Sequence, residues 1–454
     1  MICTVNPLTG ETLARYQQDD IETVRGTIDR TAAQYTAWCR TPFPERAALF
    51  NRLAERLRAH ADEYARIMAL EMGKPVREGR AEIEKCAWVC EYYATHAARF
   101  LADVPVDTGA RKSYVTYRPM GVVLAVMPWN FPFWQVFRCA VPTMMAGNTM
   151  LLKHASNVSG CARAIASLFL ESGAPDHLFS LLVISADRVA EVIAHPAVRA
   201  VTLTGGTPAG RAVAAEAGRH LKKVVLELGG SDPYIVLADA DLDESVSKCI
   251  AGRMLNAGQS CIAAKRLIVV RSILDIFTHR LIDGMSRITW GDPMAPDTGI
   301  GPLARRELRD ELHEQVTESV RCGARLRLGG EIHPGPGALY PPTVLDNVQP
   351  GMPACDEELF GPVAVIIPAE TTEDALHLAN QSSFGLGGAV FTADTNQGEQ
   401  LARDAMEVGC CFVNDFVRSD PRLLFGGIKN SGFGRELGIH GIHEFVNIKT
   451  VYVR

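Results

Sequence analysis

Four short stretches hold side chains whose types and spacing suit chemistry. In NAGQSCIAAK, at 256–265, Cys261 stands among glycine, serine and alanine. Small neighbours leave a thiol accessible and let backbone N–H groups approach a substrate oxygen. A thiolate so placed is a strong nucleophile; the alternative is a packed, inert cysteine, the commoner state of a single thiol. In LELGG, at 226–230, Glu227 interrupts an apolar strand end. A carboxylate there is solvated, salt-bridged or functional. If buried, its raised proton affinity suits a general base near neutral pH. In MPWNFPFWQVFR, at 127–138, Asn130 follows a strand, and its amide can donate to a developing oxyanion. The aromatics around it line a pocket or pack a core. LTGGTPAG, at 203–210, runs from strand through glycines into a helix. Helix N-termini favour phosphate, but the spacing is not GxGxxG and the turn is equally readable as structural.

These groups need a frame. From 121 to 237, the short apolar runs GVVLAVM, NTMLLK, LFSLLVI, VRAVTLTG, KKVVLELG and YIVL alternate with amphipathic or alanine-rich stretches. That alternation predicts an α/β fold with a parallel sheet covered on both faces, binding ligands at the carboxyl ends of its strands. A second set, RLIVV, ARLRLGG, VAVIIP, GGAVFT and CCFVN, predicts a second α/β domain, with GCCFVN as a buried strand and HPGPGALYPP as a surface loop. The first hundred residues read as helical: one segment from Pro44, with Leu49, Leu53, Leu57, Tyr64 and Met68 on a broad face and Gly73 and Pro75 as its stop, then a helix around Ala81–Leu101. KSYVTYRPMG at 112–121 and the final FVNIKTVYV alternate polar and apolar residues, as edge strands that need partners do, on this chain or another subunit.

The 454 residues exceed one simple core, so two or three domains are expected. A net charge of −6 argues against a nucleic-acid surface. No secretory signal or membrane-length apolar run is recognisable, so a cytoplasmic protein with reduced thiols is expected. The twelve cysteines include no CxxC pair. HGIH at 440–443 reads as a plain helical turn, with no thiol or acidic partner for a metal.

PWNFP, LELGG, GQSC, EELFGP (357–362) and FGGIKNSGFGRE (425–436), in this order, resemble the aldehyde dehydrogenase superfamily over essentially the whole chain. PWNFPFWQVFR, LKHASNV, ELGGSDP, GQSCIAAKR and SDPRLLFGG are similar to the short bacterial succinic semialdehyde dehydrogenases. By matching position, the resemblance implies Cys261 as nucleophile and Glu227 as general base. It puts Asn130 with the Cys261 N–H in an oxyanion hole. Lys153 would bind the adenosine ribose. Gly205 and its neighbour Gly206 would lie near the pyrophosphate. Glu358 would hold the nicotinamide ribose, with Phe360 nearby and Trp129 along the cofactor cleft. It further implies Arg138, facing the entrance, and Ser419 as a clamp for the far carboxylate of succinic semialdehyde. Arg138 otherwise reads as a surface salt-bridge residue.

The resemblance also implies a Rossmann-type cofactor domain (1–110 and 122–228), an α/β catalytic domain (229–435) and a small β oligomerisation arm (111–121 and 436–454) in a homodimer or dimer of dimers. Two positions depart from the common pattern. Gly206 replaces a serine of the phosphate turn. Ser156 stands where NAD-preferring relatives carry a glutamate. A glutamate repels a 2′-phosphate; a serine hydrogen-bonds to it. A rival reading, oxidation of glutaric semialdehyde or a neutral aliphatic aldehyde, stays open, because one methylene discriminates by only about 1–3 kcal/mol. Transfer to coenzyme A is opposed by Glu227, which activates water. The identity of Ser156 makes NADP the expected preferred cofactor, with some NAD activity. Steady-state kinetics should give NADP the higher kcat/KM, and the opposite order would refute the reading of Ser156.

Overall fold

The apolar runs build two sheets that meet at the candidate residues. The computed structural model describes residues 1–454. One sheet has six strands, in the order Gly432–Phe433, Lys223–Glu227, Val198–Thr204, Val122–Met127, Thr149–His154 and Phe179–Leu181, parallel except for the first. Its central strand shows why these runs are apolar throughout. Val123, Ala125 and Met127 enter one core, while Val122 and Leu124 enter another on the opposite face. A period of two divides the side chains between faces, and helices cover both.

The second sheet has seven strands: Arg325–Leu328, Thr343–Asp346, Val363–Ala369, Ala264–Val270, Asp232–Val236, Gly387–Phe391 and Cys410–Val413. All pairings are parallel except that of Arg325–Leu328. It packs its own core of Val, Ile and Leu. Each sheet has a switch point, a crevice between strands whose connections leave in opposite directions. In the six-stranded sheet it lies between Val122–Met127 and Val198–Thr204. The carboxyl ends of four neighbouring strands therefore bring Glu227, Thr204, the Pro128–Asn130 turn and Lys153 to one edge.

Several sequence expectations are corrected here. YIVL, read with the first set of strands, pairs with Ala264–Val270 in the second sheet; as a buried apolar run it carries no mark of which sheet it joins. The chain opens with a hairpin, Ile2–Val5 against Thr12–Tyr16, not with helix. The segment from Pro44 forms two helices, Phe43–Ala59 and Ala61–Met72, parted at His60. Both keep their apolar faces on the following helix, Val76–Phe100, which starts a turn earlier than expected. Gly73 ends the second of them in a left-handed conformation. GCCFVN is a half-buried edge strand, not a buried one. The two alternating strands, Lys112–Pro119 and Val446–Val453, pair with each other within the chain, antiparallel and in full register. HGIH lies in the helix Gly438–His443, where His443 stacks on Tyr117 at 4.3 Å. No helix is long and apolar enough to cross a membrane.

Candidate active site

Cys261 lies just before the strand Ala264–Val270, on a loop with unusual backbone. Asn256, Ala257 and Gly258 are consecutive left-handed residues, with φ of 56°, 54° and 73°. Left-handed backbone costs a residue with a Cβ about 1–2 kcal/mol, so the surroundings must hold it. The Glu78 carboxylate accepts the Asn256 N–H at 2.8 Å. The Asn256 amide donates to the Asn130 carbonyl at 2.7 Å. Gln259 donates to the Asn256 carbonyl at 3.1 Å and accepts the Ala304 N–H at 2.9 Å. Gly258 presses on the Gly361 carbonyl so closely that a Cβ would overlap it. Lys265 donates to the carbonyls of Ser260 and Cys261, each at 2.8 Å.

Two cavities meet at Cys261. One, of about 400 Å³, is lined by Trp129, Asn130, Thr204, Gly205, Gly206, Glu227, Glu358 and Phe360 among others. The other, of about 160 Å³, is lined by Glu78, Glu82, Lys85, Trp134, Arg138, Ser419 and Phe425 among others. Cys261 is the single residue common to both linings. Its backbone N–H has no acceptor within the chain. The Asn130 amide spends one hydrogen on the Gln259 carbonyl at 3.0 Å, which leaves the other free.

Electrostatics distinguish the acids. Glu227 is buried at the end of Lys223–Glu227, and neither of its oxygens has a hydrogen-bond partner. Burial, reinforced by Glu436, raises its proton affinity well above the ordinary carboxylate range, against the pull of Arg138 and Arg435. Burial pushes the Cys261 thiol up to about 12, opposed by Arg138 and Lys265. Glu358 is fixed by Lys265 at 3.0 Å and by the Gly230 N–H at 3.1 Å. A Cβ at Gly229 would overlap the Glu358 carboxylate, which accounts for that glycine of LELGG. Arg253, fully buried, donates to the carbonyls of Val363, Leu359 and Gly361, and so ties the Glu358–Phe360 segment to the cysteine loop. Phe360 and Trp129 meet edge to face at 5.8 Å.

The larger cavity is bordered by a glycine turn and a helix N-terminus, groups that suit a phosphate. Gly205 and Gly206 form the turn before the helix Thr207–Arg219, which has no side-chain cap. Lys153 is buried without a hydrogen-bond or acidic partner, and burial lowers its proton affinity. Three residues on, Ser156 is half-buried and uses only its carbonyl, toward Ser159, while the neighbouring Asn157 amide nitrogen is buried without an acceptor. Lys153 and Ser156 lie at the adjacent strand end and do not line the cavity itself.

Arg138 does not face the entrance as expected. It lies inside the helix Trp134–Met145, buried, ion-paired to Glu436 and stacked at 4.6 Å on Phe425. Burying a guanidinium requires such a counter-ion. One of its nitrogens, Nη1, makes no bond within the chain. Ser419 accepts hydrogens from the Trp134 indole at 3.1 Å and from Lys85 at 2.8 Å. Sequence reading missed Glu78, Lys85, Lys265, Arg305 and Glu436. For Glu78, Glu82 and Lys85 a signal existed, since their spacing puts them on one face of the helix Val76–Phe100.

The model described as "Aldehyde dehydrogenase family" matches residues 1–451. The chain is 46% identical over 449 residues to the Escherichia coli (strain K12) succinate semialdehyde dehydrogenase Sad, named for NAD(P)+, covering 99% of this chain and 97% of that one. It is 45% identical over 455 residues to a Mycobacterium tuberculosis (strain H37Rv) succinate-semialdehyde dehydrogenase named for NADP(+), covering 100% and 99%. Among solved structures, succinic semialdehyde dehydrogenase from Streptococcus pyogenes in complex with NADP+ superimposes with a TM-score of 0.97 at 37% identity, covering 100% of both chains.

The raised proton affinity of the half-buried thiol has a measurable consequence. With its pKa raised to about 12, the thiolate fraction should rise about tenfold per pH unit through the range 7 to 10. Alkylation of Cys261 in the cofactor-free enzyme, followed by peptide mapping, should show that slope with no plateau near 9. A plateau below 9 would mean that the site lowers the thiol pKa.

Proposed function

We propose that this chain, which belongs to the aldehyde dehydrogenase family, oxidises succinic semialdehyde to succinate with NADP as preferred cofactor and NAD as a weaker one. The observation that carries the reading is the position of Cys261 between two cavities, one shaped for a dinucleotide and one small, with a cationic and hydroxylic wall. The names of the relatives support the substrate and the cofactor.

In this reading the larger cavity holds the cofactor. Gly205, Gly206 and the free N–H groups of the following helix face the pyrophosphate. Glu358 takes the nicotinamide ribose. Trp129 and Phe360 wall the cleft, and Lys153 with Ser156 takes the 2′-phosphate end. A bound nicotinamide supplies a hydride acceptor. Cys261 attacks the aldehyde carbon as thiolate and forms a C–S bond. The new oxyanion receives hydrogen bonds from the free Asn130 amide hydrogen and the Cys261 N–H. Loss of hydride leaves a thioester. Glu227 takes a proton from water, the hydroxide adds to the thioester carbon, and the C–S bond breaks to release the acid. Glu227 suits this because its oxygens are unengaged and its proton affinity is raised. The far carboxylate meets Ser419 and the free Nη1 of Arg138.

The assembly belongs to the same proposal. Val446–Val453 has an open outer edge with Ile448 and Tyr452 exposed, and Cys410–Val413 is an open edge of the second sheet. A second copy covering these edges makes the homodimer, or a dimer of dimers. Twelve free thiols suit a reducing cytoplasm.

Initial rates with succinic semialdehyde and butanal test the substrate. The charged aldehyde should have the higher kcat/KM by about tenfold or more; equal values would reduce the enzyme to a general aldehyde oxidiser. Ser156→Glu should lower kcat/KM for NADP by about 10- to 100-fold and spare NAD, whereas equal losses on both would remove Ser156 from the 2′-phosphate site.

A further inference from the structure

Three cations line the smaller cavity: Lys85, Arg138 and Arg418. Arg138 is neutralised by Glu436. Arg418 lies half-exposed and pairs with Asp415 at 2.7 Å. Lys85 alone has no carboxylate within 4.0 Å. The acids nearest to it are engaged elsewhere. Glu82, one turn before it, pairs with Lys74 and accepts the N–H groups of Phe133 and Trp134 at 2.8 and 2.9 Å. Asp420 is held by Arg422 at 2.6 and 2.9 Å. Lys85 is therefore the one cation of the smaller cavity without a paired carboxylate; the other unpaired charged group in its lining, Glu78, holds the Asn256 N–H, and burial raises its proton affinity to about 7.

The donors around this ammonium converge. Its Nζ lies 4.5 Å over the Trp134 ring and donates to Ser419 Oγ at 2.8 Å. The Trp134 indole donates to the same oxygen at 3.1 Å. With two hydrogens received, the serine directs its own hydrogen away from both, and the ammonium keeps two more. These donors have no acceptor within the chain. A carboxylate, which only accepts, satisfies both groups and carries the matching charge; a hydrocarbon chain end satisfies neither.

We infer that Lys85 is the specificity-determining cation of the substrate pocket, binding the distal carboxylate of the aldehyde together with the Ser419 hydroxyl. The inference rests on the reading that the substrate is an anionic aldehyde. It assigns the net charge of recognition to Lys85, while Arg138, matched to Glu436, adds a neutral pair. Burial and the neighbouring Arg138 lower the Lys85 pKa to about 8, with Glu82, Asp420 and Cys86 acting the other way. A bare ammonium thus loses its charge in the mildly alkaline range, and recognition should go with it.

The test compares wild type, Lys85→Met and Lys85→Arg on succinic semialdehyde and on butanal, which has the same carbon count and no carboxylate. Lys85→Met should lower kcat/KM for succinic semialdehyde by about 10- to 100-fold, mainly through KM, and shift butanal far less. Lys85→Arg should restore most of the preference. In wild type the ratio of the two kcat/KM values should fall as pH rises above about 8, and in Lys85→Arg it should not; the ratio cancels the titration of Cys261 and Glu227. A wild-type preference that survives in Lys85→Met overturns the assignment and leaves the proposed function standing. Equal losses on both aldehydes also overturn it. A wild type without preference removes the proposed substrate, and the role of Lys85 with it.

Discussion

The site depends on a three-residue left-handed turn, Asn256–Ala257–Gly258, wedged against Gly361. A turn of this kind is unfavourable for residues that carry a Cβ and persists only where its neighbours over-determine it. Here they do so from three elements: Glu78 on a long helix, Asn130 at the end of a strand in one sheet, and Gln259 within the loop itself. Because the same turn precedes Cys261, what fixes it also fixes that thiol. Because it packs on Gly361, it is in register with Glu358 and Phe360, which line the larger cavity. Buried Arg253 clamps that contact through three backbone carbonyls.

From that turn the division of labour follows. The carboxyl ends of the six-stranded sheet deliver Asn130 and Glu227. The amino-terminal approach to a strand of the seven-stranded sheet delivers Cys261. Cys261 thus lies where the two layers meet, in the lining of both cavities. Buried charge around it is matched in pairs, Arg138 with Glu436 and Lys74 with Glu82. Groups without a paired counter-ion include Glu227 in the larger cavity, Lys153 at the adjacent strand end, and Glu78 and Lys85 in the smaller cavity. Unpartnered buried groups cost stability, and here each faces a cavity or strand end where proton transfer or an anion would employ it.

Much of this was readable from the chain. The parallel sheets show in continuous apolar runs because both faces are covered. Cys261, Glu227 and Asn130 stand out because each is out of character for its local context, and glycines flank two of them for steric reasons the structure displays at Gly229 and Gly258. What was not legible is pairing between distant segments. Nothing near Arg138 in sequence announces Glu436, so the sequence alone does not show that this guanidinium is buried and ion-paired instead of facing the entrance. YIVL was placed in the wrong sheet because a buried strand carries no address. Lys85 was overlooked because a lysine on an amphipathic helix is ordinarily solvated, and only the loop bearing Ser419, far along the chain, turns it inward.

The central claim is that Cys261 carries the acyl group and Glu227 releases it. Its most direct test is acid-quenched mass spectrometry of the Glu227→Gln enzyme after mixing with succinic semialdehyde and NADP. A succinyl group on the peptide that contains Cys261, accumulating to near one per chain in step with a single turnover of NADPH formation, is the result this account requires. Full steady-state turnover with no adduct, or an adduct on another of the twelve cysteines, would contradict it.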